Sequence, residues 1–229
     1  MAFSIRLHLD DCLYVRDPEE TDLGRRIVDT AIRQLDEHGF ERFTFRRLAE
    51  ATGSTEASIY RYFQNKHRLL LYLVSWYWSW VDYRLEIVAL TEPEAVQRLR
   101  RAVQVLLESH TTYDPRWSHI DEVALHRIVV VESHKAYQTQ RVDDLNAEGM
   151  FSAYKGLTAT LAELIRGAAP DYPFPTALAS TLVEASHQQI FFAQHLPSMT
   201  ELKAEGDDFS QVGRFLDDLL SRVLGLPRE

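Results

Sequence analysis

Residues 44–70 read TFRRLAEATGSTEASIYRYFQNKHRLL, and this stretch predicts two short helices across a tight turn, followed at once by a third helix. Thr44 is a favourable N-cap, and Leu48 lies one turn further on the apolar face. Gly53 ends that first helix, because a residue without Cβ readily takes the left-handed conformation. Hydroxyl residues follow Gly53 and can cap the next helix, so the pattern is that of a helix-turn-helix.

The second helix of this pair has an apolar side and a polar side. Ala57, Ile59 and Phe63 supply its apolar contacts, which leaves hydroxyl, carboxylate and guanidinium groups on the free side. Such groups hydrogen-bond base edges and phosphates when a recognition helix enters the major groove of DNA. Lys66 opens the third helix, where backbone N–H groups also point outward, and is expected to anchor a phosphate. The predicted DNA-contacting residues are Thr44, Arg46, Thr55, Glu56, Ala57, Ser58, Tyr60, Arg61, Tyr62 and Lys66.

At these residues the chain resembles the N-terminal DNA-binding domain of the TetR family of bacterial transcriptional regulators. The resemblance covers about 50 residues and depends on Gly39-Phe40, Thr44, Gly53, Ser58, Ile59-Tyr60, Phe63 and Lys66 at fixed spacing. Ser54 stands where the family usually has an apolar residue, and His67 where an acidic residue is common. Neither change removes a DNA contact. The resemblance implies an all-α homodimer whose two heads bind successive major grooves of a near-palindromic operator.

The charge distribution is compatible with DNA binding although the whole chain of 229 residues has a formal net charge of −9. Residues 22–70 carry nine Arg or Lys against seven Asp or Glu, so the acidic excess lies elsewhere in the chain. Phosphate neutralisation drives non-specific binding. A mildly basic head on an acidic body therefore favours specific over non-specific binding.

Composition also excludes some classes of protein. A single cysteine, Cys12, excludes an internal disulfide framework and a multi-cysteine metal site. No apolar run reaches the ~18 residues of a membrane span, so we expect a cytoplasmic protein without a membrane partner.

The residues ahead of the first long helix have two interpretations. Phe3, Ile5, Leu7 and Leu9 alternate with polar residues, and an apolar group follows from Leu13. This period of two predicts either a short β-hairpin or a disordered arm. The predicted organisation is therefore an arm or hairpin over residues 1–21, a helix-turn-helix domain over 22–66, and a helical domain for effector binding and dimerisation over 67–229.

The rest of the chain is predicted to be helical. A long helix from Lys66 to about Ala89 carries an aromatic belt that includes Trp76, Trp80 and Tyr83, and it is expected to join the two domains. A polar segment at 132–141 is expected to break a helix, and one helix is predicted over about 142–167. Two more are predicted over about 175–195 and 208–224.

Two further sets of residues are candidates for binding. Polar and aromatic groups on the body helices would orient a mostly apolar small-molecule effector in a cavity, although core packing is the alternative for each. The first set is Trp80, Tyr83, His110, Trp117, His126, Tyr154, His187 and Gln188. The terminal helix has an apolar face wider than one neighbour needs, which predicts a two-fold interface. The second set is Leu178, Leu182, Phe192, Phe215, Leu216, Leu219, Leu220 and Val223.

No pattern supplies a catalytic mechanism, so we expect no enzyme activity, no cofactor and no metal. Glu184 and His187 form an E-x-x-H pair, but a di-iron bundle needs two such pairs and further carboxylates. Glu122 and His126 lie one turn apart, and two ligands rarely make a site. We therefore favour a ligand-responsive TetR-like regulator, most simply a repressor. A ligand-independent architectural protein or activator, and a helical metal-dependent enzyme, stay open as alternatives.

Overall fold

The computed structural model describes residues 7, 9–108, 120–206 and 208–227, and within these ranges the fold is all-α, as predicted. No β-strand occurs in these ranges, and none of their helices combines the length and apolarity needed to cross a membrane. The helices are α1 (Asp22–Arg42), α2 (Phe45–Thr52), α3 (Glu56–Tyr60), α4 (Lys66–Thr91), α5 (Ala95–Val105), α6 (Glu122–Tyr137), α7 (Val142–Ala147), α8 (Ser152–Ala168), α9 (Pro175–His195) and α10 (Ser210–Leu224).

The chain divides into two compact units. The first comprises Met1–Ser79 and His110–Ala153, and the second comprises Trp80–Ser109 and Tyr154–Glu229. Helix α4 contributes its first half to the first unit and its second half to the second. The first unit is larger than the predicted DNA-binding domain, because it also contains α6 and α7. The predicted domain boundary at residue 66 therefore stays a prediction.

The head of the first unit is a three-helix core. Ile27 of α1, Leu48 of α2 and Ile59 of α3 are all completely buried, as is Phe63 after α3. These positions are the apolar faces expected from spacing. Asn65 caps α4 by accepting the N–H of Arg68 at 2.9 Å. Helix–helix packing therefore fixes the position of α3 in the head.

Helix α1 is interrupted near its C-terminal end. Gly39 takes φ 73° and ψ 166°, a conformation that favours glycine, and the chain continues for one more turn to Arg42. Helix α6 packs against α1 at this end, where Arg127 donates two hydrogen bonds to Asp36 at 2.9 and 2.6 Å.

The second unit is a bundle in which α10 packs on α5. Val212, Leu216 and Leu220 of α10 are fully buried. Arg100 of α5 is also buried, and its Nε lies 3.0 Å from an Asp217 carboxylate oxygen. A buried guanidinium needs such a partner, so the ion pair fixes α10 relative to α5.

Two local predictions were wrong, and the N-terminal hairpin, one of two interpretations, is only partly described. Helix α6 continues through Glu132 to Tyr137, because residues of its polar segment bond to α1 instead of breaking the helix. The single helix predicted over 142–167 is two helices, separated by a turn in which Gly149 has φ 83°. Residues 11–13 form a 3-10 helix instead of the second arm of a hairpin. Residues 1–6 and 8, which include most of its first arm, lie outside the described residues.

Candidate nucleic-acid interface

The turn between α2 and α3 forms as its sequence predicts. The Thr44 hydroxyl accepts the N–H of Arg47 at 3.3 Å, and Gly53 ends α2 in the left-handed region with φ 64°. Thr55 caps α3 by accepting the N–H of Ser58 at 3.2 Å. The unusual Ser54 is accommodated, because its hydroxyl hydrogen-bonds that of Thr52 at 2.8 Å. Capping bonds therefore fix the path of the chain into α3.

Helix α3 presents a polar face. Thr55, Glu56, Ala57, Tyr60 and Arg61 are exposed and Ser58 is half-buried, whereas the intervening Ile59 is completely buried. The structure therefore places these predicted DNA-contacting residues together on one accessible side. Ala57 faces outward, and its methyl group is of the kind that contacts the C5-methyl of thymine.

Tyr60 has a defined orientation although about half of its side chain is exposed. Its ring packs edge-on against Phe45 of α2, with ring centroids 5.1 Å apart. The contact limits the motion of the ring and leaves the hydroxyl available at the end of the recognition helix. This geometry suits a phosphate contact.

Exposed arginines lie at the start of α2. Arg46 pairs with Glu50 one turn later at 3.2 Å, and Arg47 donates to the Arg42 carbonyl at 3.2 Å. Arg46 is among the predicted DNA-contacting residues, whereas Arg42 and Arg47 are not. Their position beside the Thr44 cap was the available signal, since phosphate contacts often cluster at helix N-termini.

Lys66, predicted to anchor a phosphate, bonds backbone carbonyls in this structure. Its Nζ donates to the carbonyl oxygens of Phe40 at 3.0 Å and Phe43 at 3.4 Å, and it lies 4.5 Å from the centre of the Phe40 ring. Both carbonyls lie at the end of α1, where the Phe40 carbonyl also accepts the N–H of Phe43 at 3.3 Å, and the half-buried ammonium binds them. In this structure Lys66 therefore joins α4 to the end of α1, and its role as a phosphate anchor stays a prediction.

Tyr62 is also turned inward. Its side chain is 4% exposed, and its hydroxyl hydrogen-bonds the Thr21 hydroxyl at 2.7 Å. Thr21 caps α1, so Tyr62 ties the residues after α3 to the start of α1. Its predicted role as a DNA contact is corrected to a structural one, because a buried ring cannot reach a base or phosphate.

Glu132 is a functional candidate that no local sequence pattern indicated. This carboxylate is 5% exposed, and it accepts the Phe40 N–H at 2.9 Å from 92 residues away in sequence. Its other oxygen lies 2.8 Å from the ammonium of Lys135. Lys135 also pairs with Glu41 at 2.9 Å. Burial lowers the pKa of Lys135, but its bonds to Glu132 and Glu41 outweigh that effect and raise the pKa.

The residues predicted for the effector site occur in both units. His126 is buried in the first unit, where its ring lies 5.9 Å from that of Tyr77. Trp80 and Tyr83 stack in the second unit with ring centroids 5.6 Å apart. His187 is buried in α9 and Gln188 is exposed. His110 and Trp117 lie outside the described residues.

Tyr154 bridges two helices of the second unit. Its hydroxyl donates to a Glu184 carboxylate oxygen at 2.6 Å, which connects α8 to α9. Burial and the neighbouring carboxylate raise the pKa of Tyr154, so the phenol stays protonated. Tyr154 also lines an open groove of about 460 Å³ between α8 and α9, and this groove contains none of the other predicted effector residues.

Asp82 is a polar group in the second unit that the sequence analysis did not select. Burial raises the pKa of its carboxyl, a hydrogen bond from Thr160 of α8 opposes the shift, and the nearby Glu86 charge adds to it. A Cβ on Gly156 would lie 3.3 Å from the same carboxylate. Glycine at 156 therefore lets α8 pack closely on this part of α4.

The predicted dimer residues separate into two groups. Leu178, Leu182, Leu216 and Leu220 are at most 6% exposed within one chain, so they belong to its own core and not to an interface. Phe192 and Leu219 are half-buried, and Phe215 and Val223 are 38% and 39% exposed. The helical spacing identified the apolar face of α10 but did not separate its inner edge from its outer edge.

The metal candidates do not converge in the part of the chain that the structure describes. No group of three or more His, Cys, Asp or Glu residues with the arrangement of a metal site occurs there. His126, of the Glu122 pair, is 1% exposed. Glu184, of the E-x-x-H pair, accepts the Tyr154 hydroxyl.

The head matches a known family of DNA-binding domains. Residues 27–73 match the model of bacterial regulatory proteins of the tetR family, and this range contains the whole helix-turn-helix. Residues 27–73 are therefore similar to the DNA-binding domain of that family. Comparison with curated protein sequences gives no match.

Solved structures extend the likeness from the TetR domain to the fold of the whole chain. The fatty acid degradation regulator FadR from Bacillus halodurans is 15% identical with a TM-score of 0.61, covering 91% of this chain and 98% of its own. A TetR-family regulator from Pectobacterium atrosepticum is 19% identical with a TM-score of 0.59, covering 93% and 100%. AibR, solved with isovaleryl coenzyme A and operator DNA, is 20% identical with a TM-score of 0.55, covering 89% and 100%. The chain therefore has the all-α TetR fold.

Proposed function

We propose that this protein is a cytoplasmic, homodimeric TetR-type repressor that binds a near-palindromic operator and is released by a small-molecule effector. The observation that carries the proposal is the exposed polar face of α3. Four side chains with hydrogen-bonding groups, Thr55, Glu56, Tyr60 and Arg61, are accessible there, while Ile59 and Phe63 hold the helix in the head. This is the arrangement that reads base edges in the major groove.

Dimerisation would use the outer face of α9 and α10. Phe215 and Val223 are more than one-third exposed, and Phe192 and Leu219 are half-buried, so these four form an apolar surface that a second copy can cover. A two-fold axis through this surface would present two recognition helices. Two heads on successive major grooves require half-sites about 34–36 Å apart.

Release requires only that the effector prefer a conformation whose heads no longer match this spacing. Helix α4 runs without a break from Lys66 to Thr91, so its aromatic part at Trp80 and Tyr83 is covalently continuous with the head. A typical coupling of about 1–3 kcal/mol would lower operator affinity by roughly 5- to 150-fold. The bound ligand of AibR makes isovaleryl coenzyme A a suitable first probe.

The test is selection of DNA from a random library by the purified full-length protein, followed by sequencing and gel-shift titration. We expect an inverted repeat with half-sites one helical turn apart. Arg61→Ala should weaken its binding, whereas the charge-matched control Arg166→Ala, at an exposed arginine of α8, should not. Enriched DNA without two-fold symmetry would favour the architectural alternative, and no enrichment would refute DNA recognition. A panel of acyl thioesters beginning with isovaleryl coenzyme A then tests release.

A further inference from the structure

The residues ahead of α1 pack against the head and α4. Leu9 and Leu13 are 6% and 2% exposed, and the Tyr14 ring meets the Tyr72 ring of α4 edge-on at 6.2 Å. Pro18 lies so close to α1 that a side chain at Gly24 would collide with its carbonyl oxygen. Residues 9–21, which we term the N-terminal strap, therefore have a defined path over the head.

The strap is attached to the residue that follows the recognition helix. The N–H of Val15 donates to the Tyr62 carbonyl at 2.8 Å, and the hydroxyl of Thr21 bonds that of Tyr62 at 2.7 Å. Tyr62 comes directly after the exposed Tyr60 and Arg61. Both ends of the 15–21 segment are thus fixed to the C-terminal end of the recognition helix.

Arg16 is held between these two attachments. Its side chain is exposed, and its guanidinium carbon lies 5.8 Å from the centre of the Tyr62 ring. It forms no ion pair with a carboxylate among the residues that the structure describes. The adjacent Asp17 accepts the N–H of Glu19 at 2.8 Å, so this carboxylate caps the next turn.

We infer that Arg16 binds a phosphate of the operator beside the end of α3, an inference that rests on the proposed function. The guanidinium is already oriented over an aromatic ring, and the strap limits the motion of its backbone, so little further ordering is needed on binding. A planar guanidinium suits bidentate contact with phosphate oxygens. Arg16 thus adds a positive charge from outside the helix-turn-helix to a head that has only a small positive excess.

The experiment compares Arg16→Ala, Arg16→Lys and wild-type full-length protein by gel-shift titration over a range of salt concentrations. Arg16→Ala should reduce the slope of log affinity against log salt by about 0.9. When salt rises from 50 mM to 200 mM, the affinity of both proteins falls, and the fold-decrease for the variant should be about three to four times smaller than that for wild type. Arg16→Lys should keep the wild-type slope, and Arg141→Ala, an exposed arginine on α7's N-terminal side, should keep it as well. The weakening should be uniform across operator variants, because phosphates carry no sequence information.

Other outcomes separate this inference from the proposed function. An unchanged slope for Arg16→Ala overturns the phosphate contact even if the melting temperature falls, since that result describes packing on Tyr62 alone. Failure of the wild-type protein to bind any selected DNA refutes the proposed function. Val15→Pro removes the N–H that bonds Tyr62 but keeps the charge, and it should weaken binding relative to Val15→Ala. Equal affinity of the two Val15 variants would show that the strap does not position Arg16.

Discussion

Removal of the Glu132 carboxylate should loosen the joint between α1 and α2. In Glu132→Ala the N–H of Phe40 loses its acceptor at 2.9 Å in a buried environment, and Lys135 keeps the exposed Glu41 as a carboxylate partner. The N–H cannot return to a helical bond, because Gly39 at φ 73° interrupts α1 directly before it. The loss of a charged acceptor and the burial of an unsatisfied donor should together cost about 3 kcal/mol.

For a chain of this size, 1 kcal/mol corresponds to roughly 2–4 °C, so Glu132→Ala should lower the melting temperature by about 6–12 °C. Glu132→Gln keeps an acceptor oxygen for the N–H but loses the charge, and it should cost about 1 kcal/mol. The matched control is Glu41→Gln, which removes the other partner of Lys135 at the surface. We expect this control to change the melting temperature little, because exposed ion pairs contribute little.

Hydrogen–deuterium exchange supplies the local measurement. A peptide covering residues 36–44 should exchange faster in Glu132→Ala than in wild type, while a peptide covering α9 should be unchanged. The opposite result would be a Glu132→Ala protein whose melting temperature equals that of Glu41→Gln and whose peptide 36–44 exchanges at the wild-type rate. That result would show that the Phe40 N–H does not depend on this carboxylate.

Three further substitutions test neighbouring assignments. Lys66→Met should lower the melting temperature but keep the salt dependence of operator binding, because the ammonium bonds the Phe40 carbonyl; a slope reduced by about one would instead support the phosphate role. Burial raises the pKa of the Asp82 carboxyl, so its charged form is disfavoured in the folded state at neutral pH. Asp82→Asn removes that charge and should raise the melting temperature more than Glu86→Gln does. A melting temperature unchanged or lowered at pH 7 would contradict this. Burial lowers the pKa of His67 below its ordinary 6.5, so the unfolded chain binds the proton more readily and stability falls as the pH drops through 6.5. Thermal melts between pH 8 and 5 should show a shallower decline for His67→Gln, and an identical decline would argue against it.

The features predicted correctly depend on residues close together in sequence. The caps at Thr44, Thr55 and Asn65 each accept an N–H from three residues further on. The left-handed Gly53 follows from its lack of a Cβ. Local spacing therefore predicted α2, the turn, α3 and the start of α4.

The features missed depend on residues that only the folded chain brings together. Glu132 and Phe40 are 92 positions apart, and Lys66 and Phe40 are 26 apart, so neither pairing has a local pattern. A charged residue in the first turn of a helix favours a phosphate contact when considered alone. The carbonyls at the end of α1 compete for that charge, and in the structure they bind it.

The same limit applies to the interface on α10. Leu216 and Phe215 are adjacent members of one apolar stripe, yet the first is completely buried and the second is 38% exposed. Helical spacing gives the width of such a stripe, but it does not show which side of the stripe packs against other helices of the same chain. That side is set by α5, where the buried Arg100 pairs with Asp217 and orients the helix.

The joint after α1 connects these observations to the proposed function. At Phe40 the backbone N–H is bound by Glu132 of α6 and the backbone carbonyl by Lys66 of α4. A movement of α6 relative to α1 would therefore leave the buried N–H of Phe40 without its partner, at a cost of about 1–3 kcal/mol. That cost is of the same size as a typical coupling between an effector and an operator. In the proposed mechanism of release, Phe40 is the residue through which a displacement of α6 would reach α2 and α3.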